Sequence, residues 1–327
     1  MNTARSCLAI VAASVSLASL TLIAPSVLAD PTGPPVPPHR PLNGTGTATT
    51  QDVMNALSNV VVDGSDNKLI SSWNTNPAGS SITTGIGPVN DPICTITRPT
   101  TTVEGIAALI HSQRNGSGGT PDGCLQFARA DFVPTMLSSG HIDAFDIDYV
   151  SNNLSLDIRD STANPVNDDL SASNTLLDVP PEALSTVPSG AGFACLGTAG
   201  SPVYLLPQQQ DINLLWPGWD AADVPSGVLA NNKVALQLVS WRIPAGARFA
   251  IYTTNLGAPT FRINTNSAPG CQITSWPDGG ITQGTHGHAW WAFSAPGTYT
   301  FTVRATATTT GGVPKSSGDQ GYTFVVD

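Results

Sequence analysis

The segment Thr285-His286-Gly287-His288-Ala289-Trp290-Trp291 holds the residue types that point most directly to chemistry. Side chains on a strand alternate, so His286 and His288 would face the same side. Two imidazoles so placed can chelate Zn²⁺ or another borderline divalent ion. A complete site needs a further ligand, and no third His is close in sequence. A pair of structural or solvent-facing histidines fits the same spacing. Six of the seven Trp lie beyond residue 200: Trp216, Trp219, Trp241, Trp276, Trp290 and Trp291. Exposed, they could stack on sugars or proline-rich chains; buried, they are large core residues.

A second kind of chemistry is suggested nearer the start. Residues 50–61 place Val53, Met54, Leu57 and Val60 on one helical face, after the glycine–threonine turn Asn43-Gly44-Thr45-Gly46-Thr47. Thr49, three residues before Asp52, is in an N-cap arrangement. A second helix is expected over residues 103–112, with Thr101 and Glu104 as a capping box. Gly and Thr at two helix starts offer N–H groups and hydroxyls to an anion. From spacing alone, ordinary capping and turns are the favoured explanation.

Catalytic signatures are missing. Five His are present, but no G-x-S-x-G elbow, H-E-x-x-H helix or P-loop accompanies them, so the expectation is not an enzyme. The 327 residues carry 13 Lys+Arg against 23 Asp+Glu, a formal charge of −10. No polybasic run exists, which argues against nucleic acid and against an anionic membrane surface. With 11% charged residues, 31 Gly and 27 Pro, the composition suits strands and turns better than helices.

Residues 1–29 read as a signal peptide: Arg5, an apolar stretch from Leu8 to Leu22, then Val27-Leu28-Ala29 before Asp30. The rest is expected to be secreted, extracellular or cell-surface associated, with no direct membrane span after cleavage. Four further cysteines remain, an even number that suggests two disulfides in an exported chain. Three pairings are open. Cys94–Cys124 and Cys195–Cys271 are favoured because each closes a loop inside one expected domain. Loop entropy assigns the first roughly 3–4 kcal/mol.

The remaining organisation follows from pattern. Residues 30–41 are a Pro-rich linker. Residues 42–150 mix helix and strand, with strands expected over 123–130 and 145–150. Residues 151–189 carry Asp157, Asp160, Asp168, Asp169, Asp178 and Glu182, and read as an acidic, solvated linker without a D-x-D-x-D-G calcium loop. Residues 190–327 read as an antiparallel β-sandwich, with strands over 203–206, 233–242, 248–254, 299–306 and 322–326. Within 233–242 both faces are fairly apolar. The expected class is α+β multidomain.

Two resemblances extend this reading. GTGTATTQDVMNALSN, ITRPTTTVEGIAALI and CLQFARADF resemble the first lobe of phosphate-type substrate-binding proteins of ABC transporters, particularly actinobacterial versions. That resemblance implies an α/β half-lobe of periplasmic-binding-protein type over residues 42–150. It also implies oxyanion contacts from Thr45, Gly46, Thr47, Thr101 and Thr102, with Arg129 near by. Ala130 and Asp131 stand where that family usually carries two serines. LLPQQQDINLLWPGWDAADVPSGVL, KVALQLVSW, RFAIYTTNLG, GTHGHAWWAFSAPGTYTFTVRATAT and GYTFVVD resemble the actinobacterial surface-anchored protein domain. Some members of that family are encoded with metal-type ABC transporters. The combined expectation is an exported, non-enzymatic cell-surface module that binds or displays at the envelope, with a cell-wall or ABC-transporter partner. The alternative is an extracellular solute-binding protein for phosphate or a divalent metal, with Zn²⁺ the candidate ion at His286 and His288.

Overall fold

The computed structural model describes residues 30–31, 40–85, 93–114, 123–162 and 168–327. The expected signal peptide and most of the Pro-rich linker lie outside the described residues. Two compact units divide the chain, Met1–Pro134 and Thr135–Asp327. The boundary therefore falls earlier than the expected 150, because residues 135–150 are built into the sheets of the second unit.

In the first unit, β1 (Leu42–Gly46) leads into α1 (Gln51–Val60) and then β2 (Ile70–Ser72). There follow β3 (Ser81–Gly85), β4 (Ile93–Thr97), α2 (Thr102–Arg114) and β5 (Phe127–Arg129). The central strand β1 pairs in parallel with both β2 and β5. β3 and β4 form a separate hairpin ladder, tied to residue 124 by the Cys94–Cys124 disulfide. Helix α2 approaches β1 closely: a Cβ on Gly105 would stand 2.6 Å from the Gly46 Cα.

Helix α1 seats itself opposite to the expectation. Val53, Leu57 and Val60 are exposed, while Gln51, Asn55 and Ser58 are buried. The surface it meets is polar. Gln51 Oε1 accepts from the Thr75 N–H at 2.8 Å, and Asn55 Nδ2 donates to Asn74 Oδ1 at 2.7 Å. Buried hydrogen bonds, which are costly to leave unmade, thus set the rotation of this helix against its apolar periodicity.

The second unit starts with β6 (Thr135–Leu137), β7 (Gly140–Asp146), β8 (Tyr149–Val150), β9 (Asn153–Leu154), β10 (Asp157–Asp160) and β11 (Asp168–Leu170). It continues through β12 (Thr175–Val179), β13 (Leu184–Thr186), β14 (Pro202–Leu206), β15 (Leu215–Asp220), β16 (Lys233–Arg242) and β17 (Phe249–Asn255). It closes with β18 (Ala258–Asn264), β19 (Ile281–Thr282), β20 (His286–His288), β21 (Trp290–Phe293), β22 (Gly297–Thr308) and β23 (Pro314–Val326). Three larger sheets result, ordered β19-β16-β22-β23-β12-β6, β11-β10-β7-β15-β20 and β13-β14-β21-β17-β18. The sheets are not purely antiparallel as expected: β12 runs parallel to β23 and β6, and β15 runs parallel to β7.

One apolar cluster draws on all three sheets, including Ile142, Leu236, Phe249, Trp291, Phe301 and Phe324. Strand β16 buries Val234, Leu236 and Leu238 but exposes Ala235, Gln237 and Val239, so only one of its faces is core. Of the Trp residues beyond 200, Trp276 and Trp291 are buried; Trp216, Trp219, Trp241 and Trp290 are half-buried.

The expected acidic linker, 151–189, is instead part of this core. Leu154, Leu156, Ile158, Leu176, Leu177 and Val179 are all buried. Leu154-Ser155-Leu156-Asp157-Ile158-Arg159 alternates with period two, so its apolar half packs inward while its charges line the other face. Among the described residues, no helix is long and apolar enough to cross a membrane.

Candidate metal centre

Strand β7 carries His141 and Asp143 two residues apart, and its intervening Ile142 belongs to the core. Strand β20 repeats the spacing with His286 and His288. Between them runs β15, whose Gly218 pairs with Asp143 on one side and His288 on the other. Residues directly opposite on neighbouring strands point to one side of a sheet. The register therefore sets the four groups on one face, around a glycine that leaves their floor open. A Cβ at Gly218 would stand 2.6 Å from the Gly287 carbonyl oxygen and 2.7 Å from His288 Nδ1.

The four side chains converge. His286 Nε2 lies 2.9 Å from Asp143 Oδ1 and 3.3 Å from His141 Nε2. His141 Nε2 lies 3.8 Å from Asp143 Oδ1. One ligand atom from each of His141, Asp143, His286 and His288 fits within 4.8 Å of all the others. Trp216, also on β15, stacks on His288 at 3.7 Å between ring centroids and 12° between planes. It also leans on His141 at 5.0 Å.

The electrostatics favour a bound cation. Asp143 is 2% exposed. Burial alone would raise its pKa, but hydrogen bonding and charge from the three imidazoles outweigh that and hold it below the ordinary value. His288 is pushed down to about 4, first by burial and then by His141 and His286. It is therefore neutral at physiological pH, the form that ligates metals. Both its ring nitrogens are buried without a well-formed hydrogen bond, although the Pro217 backbone lies close enough to oppose the shift slightly. A buried polar group left so costs about 1–3 kcal/mol, which a coordinated ion would remove.

Sequence reasoning found His286 and His288 but not His141 and Asp143. The signal was available: His141-Ile142-Asp143 repeats the H-x-H period, in a stretch where a strand was expected only from residue 145.

A second cluster lies on the same sheet. Arg159 on β10 stands 3.1 Å from Asp146, 3.6 Å from Asp148, 3.3 Å from Asp169, 3.6 Å from Asp220 and 3.0 Å from Asp223. One cation thus faces five carboxylates. Burial, reinforced by neighbouring carboxylates, pushes Asp146 up to about 8 despite the opposing charge of Arg159. Burial likewise raises Asp148 and Asp157.

The expected oxyanion residues lie in the first unit. Thr47 and Thr102 come together with Thr49 around Asp131. The Thr49 hydroxyl donates to Asp131 Oδ2 at 2.9 Å, the Thr47 hydroxyl reaches it at 3.5 Å, and Thr102 makes a short hydrogen bond to Asp131 Oδ1. These bonds, with Thr102 the strongest, hold Asp131 below its ordinary value. Thr101 caps α2 by accepting from the Glu104 N–H at 3.2 Å, and Glu104 reaches back to Thr100. The Thr45 hydroxyl is buried without a hydrogen bond. Gly46, with φ +135, lies against the Arg129 backbone. The Arg129 guanidinium donates to the Thr47 and Gly46 carbonyls and to Ser72 Oγ. Burial, partly offset by Asp30, lowers it to about 10.

No protein-family model, curated protein or solved structure matches the chain.

Proposed function

We propose that this is an exported, non-enzymatic envelope protein whose second unit captures a divalent transition-metal ion at His141, Asp143, His286 and His288. The observation that carries the reading is the convergence of three imidazoles and one buried carboxylate on a single glycine-floored patch. Nitrogen-rich sets with one carboxylate suit Zn²⁺ and Cu²⁺ and serve Ca²⁺ or Mg²⁺ poorly. Zn²⁺ is the ion we assign. Trp216 fixes the plane of His288, the role a neighbouring group plays in orienting metal-bound imidazoles.

Two disulfides, each within one unit, suit an oxidising compartment and support export. We read the second unit as a β-sandwich of the surface-anchored type and the first as an α/β lobe of substrate-binding type. The partner of this reading is a cell-wall component or an ABC transporter that takes the ion. The competing phosphate clamp is disfavoured, because Asp131 already takes the hydroxyls an oxyanion would need.

Calorimetric titration of metal-free protein with Zn²⁺ tests the reading. Binding should be far tighter than millimolar, and His288→Ala and His286→Ala should each weaken it by at least tenfold. A wild-type dissociation constant of about 1 mM or weaker, about −4 kcal/mol, would dismiss the site.

A further inference from the structure

The acidic cluster around Arg159 shares a sheet face with the imidazole site. Asp220 of β15 stands directly opposite His286 of β20, and Arg159 of β10 stands opposite Asp143 of β7. Neighbours so paired project to one side. The cluster is under-neutralised even with Asp146 holding its proton, since one guanidinium then faces the four carboxylates of Asp148, Asp169, Asp220 and Asp223. Asp146 within it is 2% exposed, and its Oδ2 makes no hydrogen bond beyond the ion pair. Asp169 and Asp223 reach solvent, with side chains 57% and 59% exposed. An excess of negative charge so close to a cation site has a kinetic use that a structural ion pair lacks.

We infer that this acidic group is the collecting surface of the imidazole site, raising the local concentration of hydrated divalent cations so that capture is fast and selective for positive charge. The inference rests on the metal-binding reading. A hydrated ion first forms an outer-sphere encounter, then exchanges water for the imidazoles. The encounter step is the one a surface field controls. A divalent ion roughly 8 Å from one unit charge in water is enriched about fivefold before screening. The effect must vanish once salt shortens the screening length to a few ångströms. Arg159 keeps the carboxylates together without neutralising them.

Stopped-flow mixing of full-length protein with aqueous Cu²⁺ tests this, with quenching of Trp fluorescence as the signal, since Trp216 stacks on a ligand. The variant is Asp169→Asn with Asp223→Asn, both exposed and neither part of the imidazole cluster. Asp319→Asn, on the six-stranded sheet, is the charge control. In dilute buffer the double variant should associate about five- to twentyfold more slowly, with chelator-driven release unchanged. The difference should close in about 0.5 M salt. An association rate equal to wild type, with quenching intact, would overturn the collecting role while leaving the metal site standing. A fall shared by the Asp319→Asn control would overturn it too, as a net-charge effect. Wild-type protein that shows no quenching, or quenching that survives His286→Ala with His288→Ala, would overturn the site and the inference together.

Discussion

Replacing Gly218 with Ala isolates the geometry of the site from its ligands. The new methyl would stand 2.6 Å from the Gly287 carbonyl oxygen, 2.7 Å from His288 Nδ1 and 2.8 Å from His288 Cε1. Non-bonded contacts settle near 3.5 Å, so something must move by roughly 0.7–0.9 Å. The obstacle is backbone as well as side chain, and β20 is a three-residue strand at the sheet edge. It is the element that gives way, carrying His286 and His288 away from β7 together. Metal–ligand distances tolerate about 0.2 Å, so the four-point set opens beyond use. We expect a stability loss of about 1–3 kcal/mol, as for other overpacked sites. Zn²⁺ affinity should fall about 10- to 100-fold, the range seen when an orienting group is lost. The assay pairs a chelator-competition titration with a thermal melt. Gly287→Ala supplies the contrast, since its methyl would strike the Trp219 ring at 2.6 Å. It should destabilise comparably with a smaller loss of affinity. A Gly218→Ala protein that binds Zn²⁺ within threefold of wild type would refute the argument.

The acidic cluster and the first unit yield two more expectations. Asp146 is pushed up to about 8 mainly by burial, so the folded chain holds this proton more tightly than the unfolded one. The stabilising proton is fully present below the unfolded value near 4, and its contribution is lost as pH rises through about 8. Urea midpoints should therefore fall between pH 5 and pH 9, and Asp146→Asn should flatten the fall; equal slopes would count against it. In the first unit, Asp131→Ser should release the Thr47, Thr49 and Thr102 hydroxyls. Calorimetry should then detect phosphate binding in the variant but not in wild type, and wild-type binding below millimolar would reverse our reading of Asp131.

Half of the candidate metal cluster was legible in the sequence, and the reason lies in chain distance. His286 and His288 share one strand, so period two alone brings them together. His141 and Asp143 join them only through β15, whose pairing with β7 and β20 no local pattern specifies. The misread linker has a different cause. Its acidic count suggested solvation, while Leu154, Leu156 and Ile158 alternated with those charges and marked a strand. Helix α1 was placed correctly along the chain, but its rotation followed Gln51 and Asn55 rather than Val53 and Leu57. Long strands such as β16 and β22 declared themselves, since apolar alternation over ten or more residues admits few other arrangements.

Strand β12, in the middle of the chain, is held between β6 and β23, with Leu176 opposite Thr323. His141 and His286 meet across 145 residues. Contacts so distant in sequence carry the loop-closure entropy that slows β-rich domains to milliseconds or longer. A chain threaded vectorially through an export channel would present His141 long before β20 and β23 emerge. On the export and metal-binding reading proposed above, the four groups would meet only once β20 is outside, so the ion taken would be the one met there.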